Sequence, residues 1–161
     1  MKTLIKSREA IEKMSERQFP KGTLLISITD VGDADVKLQY EPEYILRIEF
    51  DDVDNDVLVD EVGNNASLDE KMAVEKKYNM ISQKQAYEIA RMYYEHKDEI
   101  TTLICQCEHG QSRSAAVAAA IMEFRSRRGI DIFSHDNFYP NKVVFRRVLE
   151  ALKDQIPVYS N

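Results

Sequence analysis

Two periods alternate along the chain. Short apolar, β-branched runs are separated by stretches in which apolar residues recur every three or four positions. The run TLLISIT (Thr23 to Thr29) stops at Asp30 and the turn residues VGD, and predicts a buried strand. YILRIEF (Tyr44 to Phe50) predicts a second strand that runs into the acidic loop DDVDND, and ITTLICQC (Ile100 to Cys107) predicts a third. Helical spacing fills the gaps. Ser7 to Gln18 carries a modest stripe at Ile11 and Met14 and ends at Phe19-Pro20. In SQKQAYEIARMYYEHKDE, Ser82 and Gln85 form a capping box ahead of Ala86, Ile89, Ala90 and Tyr93 at i, i+3, i+4 and i+7.

SRSAAVAAAIMEFRSRR predicts a further helix, with basic residues in its last turn and Gly129 at the place of a C-terminal cap. NKVVFRRVLEALKDQ predicts the last helix, with Val144, Val148 and Leu152 on one face and Phe145 and Leu149 beside them. Asp51 to Met80 is polar without a clean period and reads as an irregular excursion with room for one short helix. Strands alternating with helices predict an α/β fold, with a central, mostly parallel sheet of about four or five strands flanked by helices.

Length and composition narrow the class. At 161 residues, with 43% hydrophobic and 31% charged positions, the chain is expected to form a single domain over residues 1–161 with a substantial core. A net charge of -6 argues against a general nucleic-acid or anionic-membrane surface, because such partners call for clustered Lys and Arg. The apolar runs fall short of the roughly 18 residues that span a bilayer, and MKTLIKSREAIEKMSERQF places charges where a secretion signal needs an apolar centre. A cytoplasmic protein is expected. The two cysteines, Cys105 and Cys107, are badly placed to bridge one another and are expected as free thiols.

The candidate chemistry lies in CEHGQSR, where the third strand gives way to a helix. Ligands of α/β sheets sit at the carboxyl ends of strands, and a helix N-terminus offers unpaired N–H groups and a partial positive charge to an anion. Gly110 permits a tight turn that aims successive amides at one point. A loop that holds a phosphate dianion also stabilises a thiolate, which makes Cys107 a candidate nucleophile. Arg113, six residues on, can grip phosphate oxygens in two places, and Ser112 or Ser114 can donate a hydrogen bond to the sulfur. Cys105 reads as a small core residue, and His109 as an exposed loop side chain. The C-x-C-x-H spacing lacks a second pair of zinc ligands, so neither metal nor cofactor is expected.

CEHGQSRSAAV resembles the phosphate-binding loop of the cysteine-dependent protein tyrosine phosphatases, and most of all the dual-specificity branch, whose loop reads His-Cys-x-x-Gly-x-x-Arg-Ser. The resemblance is strong over Ile100 to Phe124 and looser from Leu24 to Leu152. TLLISITD, ILRIEFDD and YPNKVVFRRVLEAL are similar to segments of bacterial and phage members of that superfamily. It implies a phosphocysteine mechanism. Cys107 would attack phosphorus, the substrate oxygens would be bound by the loop Glu108, His109, Gly110, Gln111, Ser112 and Arg113, Ser114 would assist the sulfur, and a separate aspartic acid would protonate the leaving oxygen. Laying RIEFDD on the family's strand-then-Asp pattern puts Asp52 at the acid position, with Asp51 and Asp54 as neighbours.

One departure stands out: Gln106 precedes the cysteine where the family usually has His. Three expectations follow for function. The first is hydrolysis of phosphate monoesters, on a phosphorylated protein or a small phosphomonoester. The second is a phosphate-binding module with feeble turnover. The third is a rhodanese or arsenate-reductase type of cysteine enzyme. The absence of Lys and Arg at Glu108, His109 and Gln111 favours phosphotyrosine or phosphoprotein over a highly anionic inositol lipid.

Overall fold

The computed structural model describes residues 1–155; residues 156–161 of the expected domain lie outside them. Four strands form one sheet in the order β1-β4-β2-β3, with β1 at Lys2–Lys6, β2 at Thr23–Thr29, β3 at Tyr44–Glu49 and β4 at Thr102–Gln106. Every pairing is parallel, with Leu4 opposite Ile104, Ile26 opposite Cys105 and Ile26 opposite Leu46. The strand β1 was not anticipated: KTLIK is short, and its Lys residues hide the apolar pair Leu4 and Ile5 that the sheet edge accommodates.

β2 and β4 are buried along their whole length, as strands covered on both faces must be. Their side chains alternate between two cores. Leu24, Ile26, Ile28, Leu103 and Cys105 point into the larger core, which is closed by α4 (Gln83–His96), α5 (Arg113–Ser126) and α7 (Lys142–Asp154). Leu25 and Ile104 point into a smaller core completed by Ile11 of α1 (Arg8–Met14) and by Val36. The anticipated stripes are the buried ones: Ala86, Ile89, Ala90 and Tyr93 on α4, and Val144, Val148 and Leu152 on α7. Ser82 caps α4 in the expected reciprocal box with Gln85.

Three expectations are corrected. The first helix is shorter than Ser7 to Gln18: Ser7 caps it and Ser15 already ends it, donating its N–H to the Ile11 carbonyl. The stretch from Asp51 to Met80 holds two helices, α2 (Asn55–Val62) and α3 (Leu68–Lys77), both capped from their own sequence, by Asp54 and by a Ser67/Glu70 box. They bury little besides Leu58 and Val74, which is why they leave no apolar period. Gly129 is not the C-cap of α5. Arg127 takes the left-handed conformation at φ 58° instead, and Gly129 opens the short α6 (Ile130–Phe133). A side chain at Gly129 would meet the Ala119 carbonyl at 2.8 Å, so the glycine serves close packing of α6 on α5.

No helix among the described residues is long and apolar enough to cross a membrane.

Candidate active site

Because all four strands run the same way, their carboxyl ends gather at one edge of the sheet, and the segments that follow them build the site. β4 delivers Cys107, which is 2% exposed. The loop from Glu108 to Ser112 then turns into α5. Gly110 sits at φ 67°, where a Cβ would fall 2.6 Å from the Ser7 nitrogen; both the conformation and the space demand glycine.

The loop's carbonyls are engaged from outside. Glu108 O accepts from Arg8 N at 3.1 Å, Gln111 O from Tyr139 N at 2.9 Å and Ser112 O from Asn141 N at 3.3 Å. The N–H groups of Glu108 to Ser112 have no backbone acceptor among the described residues. Nor is α5 capped by a side chain at its start, since the Ser112 hydroxyl is turned away to Asp52. A row of loop amides therefore leads into an uncapped helix N-terminus, an arrangement suited to an anion.

The expected side chains are brought together here. Ser114 Oγ, fully buried, lies 3.0 Å from Cys107 Sγ. Arg113 is 4% exposed. Its Nη1 donates to Asp30 Oδ1 at 2.6 Å and to the Phe50 carbonyl at 2.7 Å, whereas its Nε is buried without a partner. Asp52 is exposed, and its Oδ1 accepts from Ser112 Oγ at 2.8 Å and from Asn141 Nδ2 at 2.9 Å, which stations it beside the loop. Its neighbours are employed elsewhere. Asp51 accepts from Val31 N and Asn79 Nδ2, and Asp54 caps α2.

Glu108 is half-buried and paired with Arg8 at 2.8 Å, while His109 and Gln111 point to solvent as exposed side chains. Gln106, where the resembled loop has His, is wholly buried. Its Oε1 accepts from Ser27 Oγ at 2.5 Å and its Nε2 donates to the Cys107 carbonyl at 2.9 Å, so it still braces the residue that follows. Cys105 lies in the core, and burial pushes its thiol pKa up.

Three site residues were not foreseen. Asp30 follows a predicted strand and Arg8 lies in a predicted helix, but only tertiary contact shows that they reach the loop. Asn141 was readable as the cap of α7, and its Oδ1 does accept from Val144 N at 3.0 Å. Its second bond, to Asp52, spans the sequence. A groove of about 820 Å³ between β3, α3 and the start of α4 meets these surroundings at Val31 and Asn79; chemistry, not size, locates the site.

The chain has the fold of the dual-specificity-like cysteine phosphatases. The structure of PTPMT1 in complex with PI(5)P aligns over 95% of this chain and 91% of its own, with a TM-score of 0.53 at 11% identity. Tk-PTP in the active form covers 97% of this chain and 94% of its own at a TM-score of 0.48 and 13% identity. Human DUSP28 covers 94% and 92% at a TM-score of 0.49 and 16% identity. No protein-family model and no curated protein matches the sequence.

Proposed function

We propose that the protein hydrolyses phosphate monoesters through a phosphocysteine intermediate. The observation that carries this reading is the cradle around Cys107: amides without backbone acceptors, an uncapped helix, and a buried guanidinium whose Nε has no partner. Such donors are costly to leave unmatched in the folded protein, and a phosphoryl group satisfies them together.

In the first step Cys107 Sγ attacks phosphorus, the S–P bond forms and the ester P–O bond breaks. Asp52 gives its proton to the departing oxygen. Arg113 and the amides of Glu108 to Arg113 take up the equatorial charge. In the second step water loses a proton to Asp52 and attacks phosphorus, and the S–P bond breaks to return the thiolate. Ser114 Oγ, 3.0 Å from the sulfur, stabilises the negative charge there in both steps.

The surroundings favour a phosphorylated protein, phosphotyrosine foremost. Asp30, Asp52 and Glu108 adjoin the cradle, and Arg8, which reaches the loop, is already paired with Glu108. A headgroup with several phosphates would meet carboxylates rather than free cations. The PI(5)P bound to PTPMT1 makes a phosphoinositide the natural counter-substrate for comparison.

The deciding experiment pairs turnover of an aryl phosphate and a phosphotyrosine peptide with calorimetric binding of tungstate, for the wild type and Cys107→Ser. The expected result is hydrolysis by the wild type, none by the variant, and tungstate binding by both, because the cradle is untouched. Undiminished turnover in Cys107→Ser would overturn the mechanism. Tungstate binding without turnover in the wild type would assign the protein to the binding-module alternative.

A further inference from the structure

We propose that the outer edge of β3 docks the substrate's own chain: an extended segment of the phosphorylated protein adds to the sheet as a fifth strand, in the groove between β3, α3 and α4, while its phosphorylated residue reaches Cys107. The proposal rests on the phosphatase reading above and names how the protein part of such a substrate is held.

β3 ends the sheet order β1-β4-β2-β3, and among the described residues only β2 pairs with it. Alternate residues of a parallel strand turn their backbone groups to opposite sides. Phe50 N donates to the Thr29 carbonyl at 3.1 Å, which puts the even-numbered residues of β3 on the β2 side and leaves Ile45, Arg47 and Glu49 facing outward. Of their backbone groups only the Glu49 carbonyl has a hydrogen-bond partner among the described residues, Gln85 Nε2 at 2.5 Å. Such an edge is a template for another strand, and proteins commonly blunt it with lysine, proline or a bulge. β1, at the opposite edge, carries Lys2 and Lys6. β3 contains neither lysine nor proline, and its register on β2 is unbroken from Leu24 and Tyr44 to Thr29 and Glu49.

The groove of about 820 Å³ lies along this edge, at Arg47, Ile48 and Glu49. Its walls carry Met72 of α3, 56% exposed, and Val31, 46% exposed, two apolar side chains for a bound chain to cover. Charge selects the occupant. Arg47 is paired with Glu41 and Glu75 with Arg147, which leaves Lys76 and Lys84 against Glu49 and Glu88. A balanced groove on a chain of net charge -6 is unsuited to a nucleic acid or an anionic membrane, and it suits a polypeptide, whose bonds to a strand edge do not depend on charge.

Position selects the same occupant. At the end nearest the catalytic loop the groove reaches Val31 and Asn79, both bonded to Asp51, and Val31 follows Asp30, the partner of Arg113. Strands lie about 4.8 Å apart, so a strand added beyond β3 runs about 14 Å from β4. About four extended residues span that distance, so docking begins about four positions from the phosphorylated residue.

The test measures kcat/KM for an aryl phosphate and for phosphotyrosine peptides, and peptide affinity by calorimetry in Cys107→Ser. A short peptide carries two residues on either side of the phosphotyrosine, and two long ones extend it N-terminally or C-terminally by about eight threonine and valine residues, which favour strands. One long peptide is expected to exceed the short one by about tenfold in kcat/KM and in affinity. Methylating the amide nitrogens of one alternate set of residues in that extension should remove the gain, and methylating the other set, which faces away from β3, should leave it. Arg47→Pro deletes an outward N–H that Arg47→Ala keeps, so the first should remove most of the gain and the second should not. Ala73→Arg, which fills the groove from α3, should act like Arg47→Pro. All three variants should keep aryl phosphate turnover within a few-fold of wild type.

Equal values for long and short peptides would overturn the proposal, as would equal effects of methylation in both sets, or a gain that survives Arg47→Pro. A dimer in sedimentation that Arg47→Pro makes monomeric would assign the edge to a second copy of the chain and overturn it too. If Arg47→Pro does not fold, the methylated peptides and Ala73→Arg still decide. A wild type that hydrolyses the aryl phosphate with no effect of extension removes this proposal alone, whereas one that turns over no phosphate ester removes the proposed function itself.

Discussion

Asp51, Asp52 and Asp54 are chemically alike and close in sequence, yet the protein holds them in different ways. Asp51 is a strut, bonded to Val31 N and Asn79 Nδ2, and Asp54 is a helix cap. Asp52 is held beside the loop by Ser112 and Asn141 through Oδ1 alone. If Asp52 is the proton donor, Asp52→Asn will lower turnover of an alkyl phosphate or phosphotyrosine by roughly 10²-fold or more, and that of an activated aryl phosphate far less, since a good leaving group needs little protonation. Asp51→Asn and Asp54→Asn are the controls. Their effect should not depend on the leaving group, and a dependence shared by all three would remove Asp52 from its assigned role. That Asp52 and Arg113 lie at the loop was expected from the resemblance, through the loop motif and the strand-then-Asp pattern. Asp30 was not, because an aspartate after a strand reads the same whether it faces solvent or an arginine 83 positions away.

At the scale of elements, the loop and α5 act as one unit. α5 is buried from Arg113 through Ile121, including Ala115, Ala116, Ala118, Ala119 and Ala120, each at 0% exposure. A helix apolar on every side lies between other layers, and small residues let it approach them closely. The loop's rear is closed in the same way by β1 and the start of α1, against which Gly110 leaves no room for a side chain. Gly110→Ala is therefore expected to weaken tungstate binding and to lower the thermal midpoint, through a strained φ and a 2.6 Å contact with backbone. Unchanged binding and stability, followed by calorimetry and circular dichroism, would show that the loop can shift at no cost. Elements were legible where burial writes a period, as in α4 and α7. α3 left a different trace: the box Ser67 to Glu70 stands in the sequence as SLDE, but little of that helix is buried, so periodicity could not pick it out.

At the scale of the molecule, the sheet order is what assembles the site. With β4 between β1 and β2, and β3 beyond β2, the carboxyl ends bring Arg8, Asp30, Phe50 and Cys107 around one loop. The larger core under α4, α5 and α7 fixes this arrangement. Leu152 of α7 is fully buried in it, so Leu152→Ala should destabilise the fold by about 2–5 kcal/mol, the usual range for such a truncation. Chemical denaturation measures that loss, and kcat of the folded protein should remain within a few-fold of wild type because Leu152 lies near the C-terminal end of α7, at the opposite end from its cap Asn141. A loss below about 1 kcal/mol would mean that the core closes over the gap.

The sequence by itself determined the class of the fold, three of the four strands, the principal helices and the loop CEHGQSR with Cys107 and Arg113. Each of these is local: periodicity, caps and a seven-residue motif are written in neighbouring positions, and burial on a known face leaves a regular mark. The tertiary structure alone decided the edge strand β1, the two lightly buried helices α2 and α3, and the partners of the site residues. Asp30 on Arg113, Arg8 on Glu108, Asn141 on Asp52 and Ser27 on Gln106 are contacts between separate elements. Their existence depends on which strand lies beside which, and no residue pattern along the chain encodes that order locally.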